Sequence, residues 1–281
     1  MTSVAISAED VTYAIRGKEL IAGVSLVLER GQMTAVIGPN GAGKSTLLRI
    51  LAGELAPSSG RVCYTDVDAR LLAPWQLAAR RVVMAQATRL AFPFSVWEVA
   101  ALGIDGLGRR FPRSRRQDLI VAALEKAEVG HLAERIYQTL SGGEQQRVQF
   151  ARALTQLWAA DAPSATPVLF LDEPVAHLDM NHQWMLMDEV QNLVSNGVAA
   201  FVTVHDLNLA AAYADRIIVM NRGHLVARGT PIEVLSSELI ATVFGLDSKI
   251  GESAPEGSAF ILPHVHAARR RTFNCGSKTP S

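Results

Sequence analysis

The sequence predicts an α/β fold: a phosphate-binding core of buried strands, preceded by an antiparallel β segment and interrupted by a helical insertion. Three observations carry this. Gly38 to Ser45 fits G-x-x-x-x-G-K-[ST] between an apolar strand, Met33 to Ile37, and an apolar helix, Ser45 to Leu51. Val168 to Leu171 is a short apolar run that ends in the paired acids Asp172 and Glu173. Between about Ala91 and Pro167 the strand patterns vanish and helical patterns replace them.

Composition sets the frame. The chain has 281 residues, 49% of them hydrophobic and 19% charged, enough for a sizeable core and one or two domains. Lys+Arg and Asp+Glu are equal at 27 each, which gives no general argument for nucleic-acid binding. Cys63 and Cys275 lie far apart and form no metal or disulfide framework, which suits a reducing compartment. No apolar run reaches the ~18 residues of a membrane span. The N-terminus lacks a basic region followed by an apolar one, so no secretion signal is expected.

Val4 to Ile15 and Val24 to Glu29 read as strands around the turn Arg16-Gly17-Lys18. Tyr13, just ahead of the phosphate loop, reads either as a strand aromatic on the core or as a stacking platform for a base. The loop's glycines let successive N–H groups point inward at a polyphosphate, and the following helix adds its positive end. Lys44 then reaches the β- and γ-phosphates, and the Ser45 hydroxyl is a ligand for Mg²⁺. Pro57-Ser58-Ser59-Gly60 turns the chain; Arg61 to Tyr64 is a strand, Pro74 to Arg80 a short helix, and Arg81 to Met84 a strand closing at Gln86.

Within the insertion, Ser95-Val96-Trp97-Glu98 is a capping box opening a helix to about Leu102. Gly103 to Arg116 reads as a loop rich in Gly and Arg, either solvated or in contact with lipid headgroups or an acidic surface. Asp118 to Glu128 reads as an amphipathic helix. In Leu140-Ser141-Gly142-Gly143-Glu144, Ser141 and Glu144 form a second capping box, and the glycines leave backbone N–H groups uncovered. That is a second anion-attracting helix start, although a plain well-capped helix reads the same way.

A small loop, Asp161 to Pro167, leads to the strand bearing Asp172 and Glu173 at its C-terminal tip, where α/β sheets place their ligands. Asp172 suits a magnesium site through water; Glu173 suits the orientation and deprotonation of an attacking water. Asp179 caps a helix to Asn196; Val198 to Val204 is a buried strand ending at His205. A hairpin around Asn221-Arg222-Gly223 follows, then Thr230-Pro231-Ile232-Glu233 starts terminal helices to about Phe244. Beyond Ser248 a loosely ordered tail is expected, with a strand at Ala259 to Leu262.

Taken in order, the aromatic, phosphate loop, strand-end Gln, helical insert, Leu-Ser-Gly-Gly-Glu, strand-end Asp-Glu and strand-end His resemble the ATP-binding subunit of ABC transporters over residues 4–245. The resemblance implies a P-loop NTPase core at 1–90 and 159–248, a helical insertion carrying the signature motif at 91–158, and a tail at 249–281. It implies two copies meeting head to tail, with each ATP between one copy's phosphate loop and the other's signature. Tyr13 would stack adenine. Gly38, Pro39, Asn40, Gly41, Ala42, Gly43, Lys44, Ser45 and Thr46 would hold the phosphates. Ser45, Gln86 and Asp172 would serve the Mg²⁺. Ser141, Gly142, Gly143 and Glu144 would form the signature acting in trans. Glu173 would be the general base, His205 the switch on the γ-phosphate, and Gln86 the sensor toward the membrane partner. Where family members usually read Ser-Ala-Leu-Asp, this chain has Ala176-His177-Leu178-Asp179.

Phe92-Pro93-Phe94-Ser95-Val96, with Leu178-Asp179 and His182-Gln183, looks like the iron-siderophore, haem and cobalamin importers. The long segment before Asp172, with Gln156-Leu157-Trp158, is most similar to the haemin-import branch. That branch implies two transmembrane permease subunits, a periplasmic binding protein met only indirectly, and peripheral attachment to the cytoplasmic face of the inner membrane. Cobalamin or ferric-siderophore import is the alternative, and a non-transport ABC ATPase on nucleic acid or ribosomes the more distant one.

Overall fold

The computed structural model describes residues 3–86, 90–107, 111–160, 167–247 and 250. The chain runs β1 (Val4–Ile15), β2 (Lys18–Glu29), β3 (Met33–Ile37), α1 (Lys44–Leu51), β4 (Ser59–Tyr64), β5 (Val67–Asp68), α2 (Pro74–Ala78), β6 (Arg81–Met84), α3 (Val96–Asp105), α4 (Arg113–Lys126) and α5 (Gly142–Ala159). It continues through β7 (Val168–Asp172), α6 (Met180–Ser195), β8 (Ala199–Thr203), α7 (Leu207–Tyr213), β9 (Arg216–Asn221), β10 (His224–Gly229), α8 (Pro231–Val234) and α9 (Ser237–Phe244).

The strands form two sheets. One is antiparallel, in the order β2-β1-β4-β5. The other runs β10-β9-β3-β8-β7-β6; it is parallel from β9 to β6, with β10 antiparallel at its edge. The central strands β3, β7 and β8 are buried at every residue, because both faces of their sheet are covered. Alternation divides them between two cores. Leu169, Leu171, Ala200 and Val202 face a core shared with α3, α4, α5 and α6. Val168, Phe170, Ala199 and Phe201 face the opposite core, filled by Leu47, Leu48, Ile50 and Leu51 of α1 and by the antiparallel sheet. Phe170 and Phe201, register partners on adjacent strands, pack with their rings tilted by 58° at a centroid distance of 5.8 Å.

The order of the parallel strands positions the site. It sets the C-terminal ends of β6, β7 and β8 side by side, so the residues following them meet at one edge.

Several boundaries differ from expectation. β2 begins at Lys18, six residues earlier, because Gly23 at φ 59° and the register shifts beside it break the alternation of a longer strand. The expected loop from Gly103 to Arg116 is helical at both of its ends. α3 continues to Asp105, and α4 starts at Arg113 after Pro112, with Arg116 paired to Asp105 at 2.5 Å. Arg109 and Arg110, all of the 161–167 loop but Pro167, and the tail apart from Ile250, with its expected strand, lie outside the described residues. Among the described residues no helix is long and apolar enough to cross a membrane.

Candidate nucleotide site

The phosphate loop is shaped by what it lies against. A Cβ at Gly38 would fall 2.1 Å from the Met220 carbonyl oxygen at the end of β9. One at Gly43 would fall 2.8 Å from the Leu20 carbonyl oxygen and from the Ile21 side chain. Both glycines have positive φ, 151° and 102°, so both the space and the backbone conformation exclude a side chain. Gly43 caps α1 without a side-chain hydrogen bond, which leaves the first-turn N–H groups uncapped by any side chain. Lys44 is buried and donates to the carbonyl oxygens of Gly38 at 2.8 Å and Pro39 at 3.1 Å. Burial pulls its pKa below the usual lysine value, while the nearby Glu173 and Asp172 oppose that shift.

The strand ends supply the acids. Asp172 of β7 lies opposite Thr203 of β8 in the parallel register. Its Oδ1 accepts hydrogen bonds from the Thr203 hydroxyl at 2.6 Å and from the Ser45 hydroxyl at 3.0 Å. The Glu173 N–H in turn donates to Thr203 Oγ1 at 2.9 Å. Glu173, with φ 51°, aims its carboxylate between two neighbours. Gln86 Nε2, just beyond β6, donates to Glu173 Oε2 at 2.6 Å; His205 Nε2, just beyond β8, pairs with Glu173 Oε1. Phosphate loop, Asp172, Glu173, Gln86 and His205 therefore form one connected site.

The Ser141–Glu144 segment is held elsewhere by its own capping box. Glu144 Oε2 accepts from the Ser141 N–H at 2.8 Å and hydroxyl at 2.7 Å, and these bonds hold the Glu144 pKa below the usual carboxylate value. Ser141, Gly142 and Gly143 line a cavity of about 420 Å³ with His177, Leu178 and Asp179, and no phosphate-loop residue borders it. Tyr13 is half-buried on the core beneath the antiparallel sheet. It pairs across the strands with Ile21, whose side chain meets Gly43.

Two participants escaped the sequence reading. Thr203 looks like one more β-branched residue in an apolar strand, although its place opposite Asp172 was a usable signal once those strands were adjacent. Gln146, one residue of a glutamine pair, carries no pattern that marks it.

The family described as ABC transporter matches residues 21–176, more than half of the chain. The chain belongs to the ABC transporter family. Over 266 residues this ABC ATPase is 42% identical to the hemin import ATP-binding protein HmuV of Rhodopseudomonas palustris (strain HaA2), with 95% of the chain and 100% of the relative covered. It superposes on an inward-facing metal-chelate type ABC transporter with TM-score 0.71 at 25% identity, covering 87% of this chain and 90% of that one. A dimeric ATP-binding cassette bound to ADP and phosphate gives TM-score 0.71 at 25% identity, covering 80% and 98%. The α/β fold expected from the phosphate loop and the buried acidic strand is thus the ABC ATPase fold, and ATP is the nucleotide that this cassette binds and hydrolyses.

Proposed function

We propose that this ABC ATPase powers the import of haemin across the cytoplasmic membrane, as one of two identical subunits beneath a pair of transmembrane permease subunits. The observation that carries the cargo is the 42% identity to a haemin-import ATPase across that relative's whole length. A second reading, import of another metal chelate, is favoured by the likeness to the metal-chelate type transporter. A binding protein outside the membrane would deliver cargo to the permease, and the ATPase would sit peripherally on the inner face. In this reading residues 1–90 with 159–248 act as the nucleotide-binding core, 91–158 as the insertion facing the permease, and 249–281 as a tail.

The residues support the following chemistry. Glu173 takes the proton of the water that attacks the γ-phosphoryl group; His205 and Gln86, both bonded to its carboxylate, fix its direction. Lys44 and the residues from Gly38 to Thr46 cradle the phosphates, and Tyr13 stacks the adenine. Ser141, Gly142, Gly143 and Glu144 complete the partner subunit's site. Ser45 and Asp172 offer hard oxygen donors already 3.0 Å apart, a pair that fits Mg²⁺, and Gln86, bonded to the neighbouring Glu173, would complete the set. Among the described residues no group of three or more His, Cys, Asp or Glu is arranged to hold a metal ion by itself, and magnesium does not need one. Bound there, the ion would neutralise charge between the β- and γ-phosphates.

The test is hydrolysis and uptake in lipid with the permease. Glu173→Gln should cut turnover by on the order of 10²–10⁴-fold while ATP still binds. Haemin, and neither cobalamin nor a ferric siderophore, should be taken up in an ATP-dependent way. Parental turnover in the Glu173→Gln protein would place the base elsewhere, and uptake of cobalamin alone would replace the cargo.

A further inference from the structure

We infer that Gln146 is a positioning residue for hydrolysis, joining the start of α5 to the backbone that carries Glu173 in the same subunit. Gln146 lies in the first turns of α5 and is only 6% exposed. Its Nε2 donates to two successive carbonyl oxygens, Glu173 at 3.1 Å and Pro174 at 3.1 Å. Those carbonyls lie past the end of β7, beyond the sheet ladder. A side-chain amide has two N–H donors on one nitrogen, so one residue can satisfy both acceptors and fix their spacing. The Glu173 carbonyl also accepts the Ala176 N–H at 3.1 Å, so the Gln146 amide is a second tie on this turn. The Glu173 φ of 51° lies in the left-handed region, which disfavours residues with a Cβ, and the direction of its carboxylate follows from that backbone.

A second contact makes the link rigid. A Cβ at Gly143 would lie 2.9 Å from the His177 carbonyl oxygen, so the first turn of α5 rests directly on the segment that leads from Glu173 to Asp179. α5 itself is an 18-residue helix packed on α3 and α4. A small shift at Ser141–Gly143 therefore moves the Gln146 amide, and with it the Glu173 carbonyl. Whatever docks on the signature of one subunit is thereby reported to that subunit's own general base, separately from the contacts it makes across the dimer. This inference rests on the proposed roles of Glu173 and of Ser141–Gly143.

Gln146→Met keeps the length and apolar stem but removes both donors. It should lower kcat about tenfold, the scale of a lost positioning hydrogen bond, while the KM for ATP stays within about twofold. Gln146→Asn, which keeps an amide but withdraws it by one methylene, should act the same way and serves if the Met variant folds poorly by thermal melting. The deciding measurement is the pair of substitutions together. If Gln146 acts through Glu173, Gln146→Met in a Glu173→Gln background should cost nothing further. Multiplying effects, or parental kcat in either folded Gln146 variant, would overturn the inference. Parental kcat in Glu173→Gln alone would instead sink the assignment of the base.

Discussion

At the scale of single residues, Thr203 bears more of the site than its type suggests. It is fully buried, and its one hydroxyl both donates to the Asp172 carboxylate and accepts the Glu173 N–H. Replacing it by Val preserves shape and leaves that part-buried N–H without its acceptor. The cost of such an orphaned group is about 1–3 kcal/mol. Thr203→Val should therefore lower the urea midpoint well below that of Thr203→Ser, which keeps the hydroxyl and loses a methyl group. Equal midpoints for the two variants would mean the hydroxyl is not holding the strand ends. The contrast with Asp172 and Glu173 explains what was legible. Two adjacent acids at the end of an apolar run announce themselves, because burying charge there is costly without a purpose. A threonine in a strand is unremarkable by composition, and only the register Asp172↔Thr203 gives it meaning.

At the scale of elements, the strongly patterned pieces were readable: the apolar strands β3, β7 and β8, and the helices opened by Ser95, Ser141 and Asp179. In each case the local chemistry and the final environment agree. The join between α3 and α4 was not readable, and Gly103 is the reason. Glycine followed by an Arg-rich stretch reads as a loop, yet here it is a contact point inside a helix. A Cβ at Gly103 would lie 2.2 Å from the Arg152 carbonyl oxygen and 2.2 Å from Thr155 Oγ1, both on α5. Close approach of two helices, a tertiary fact, required the small residue. Magnitudes make this testable by sign. In an open helix Gly→Ala stabilises by about 1 kcal/mol, whereas forcing a methyl into a packed contact costs about 1–3 kcal/mol. Gly103→Ala should therefore destabilise in chemical denaturation; a gain in stability would show that α3 and α5 do not meet this closely.

At the scale of the whole molecule, the fold divides the machinery between two places. The phosphate loop, Asp172, Glu173, Gln86 and His205 converge at one sheet edge, while Ser141–Gly143 line a different cavity with His177 and Asp179. One chain holds both halves but does not bring them together through these contacts, so the proposed site needs a second copy in head-to-tail order. Mixing two defective variants separates this arrangement from a site complete in one chain. In a Glu173→Gln background, expected to retain bound ATP, Lys44→Ala would remove the proposed phosphate contact and Ser141→Arg would block the proposed signature. Homodimers of either variant have two broken sites. A mixed dimer has one site with both defects and one with neither. Random pairing of equal amounts makes about half the dimers mixed, so about a quarter of the parental labelled ATP should be trapped. Either variant alone should trap almost none. If the Ser141→Arg protein by itself trapped ATP at the parental level, the signature would not belong to the closed site. If mixing recovered nothing while both variants still folded, the two halves would have to meet within one chain by a rearrangement of the helical insertion.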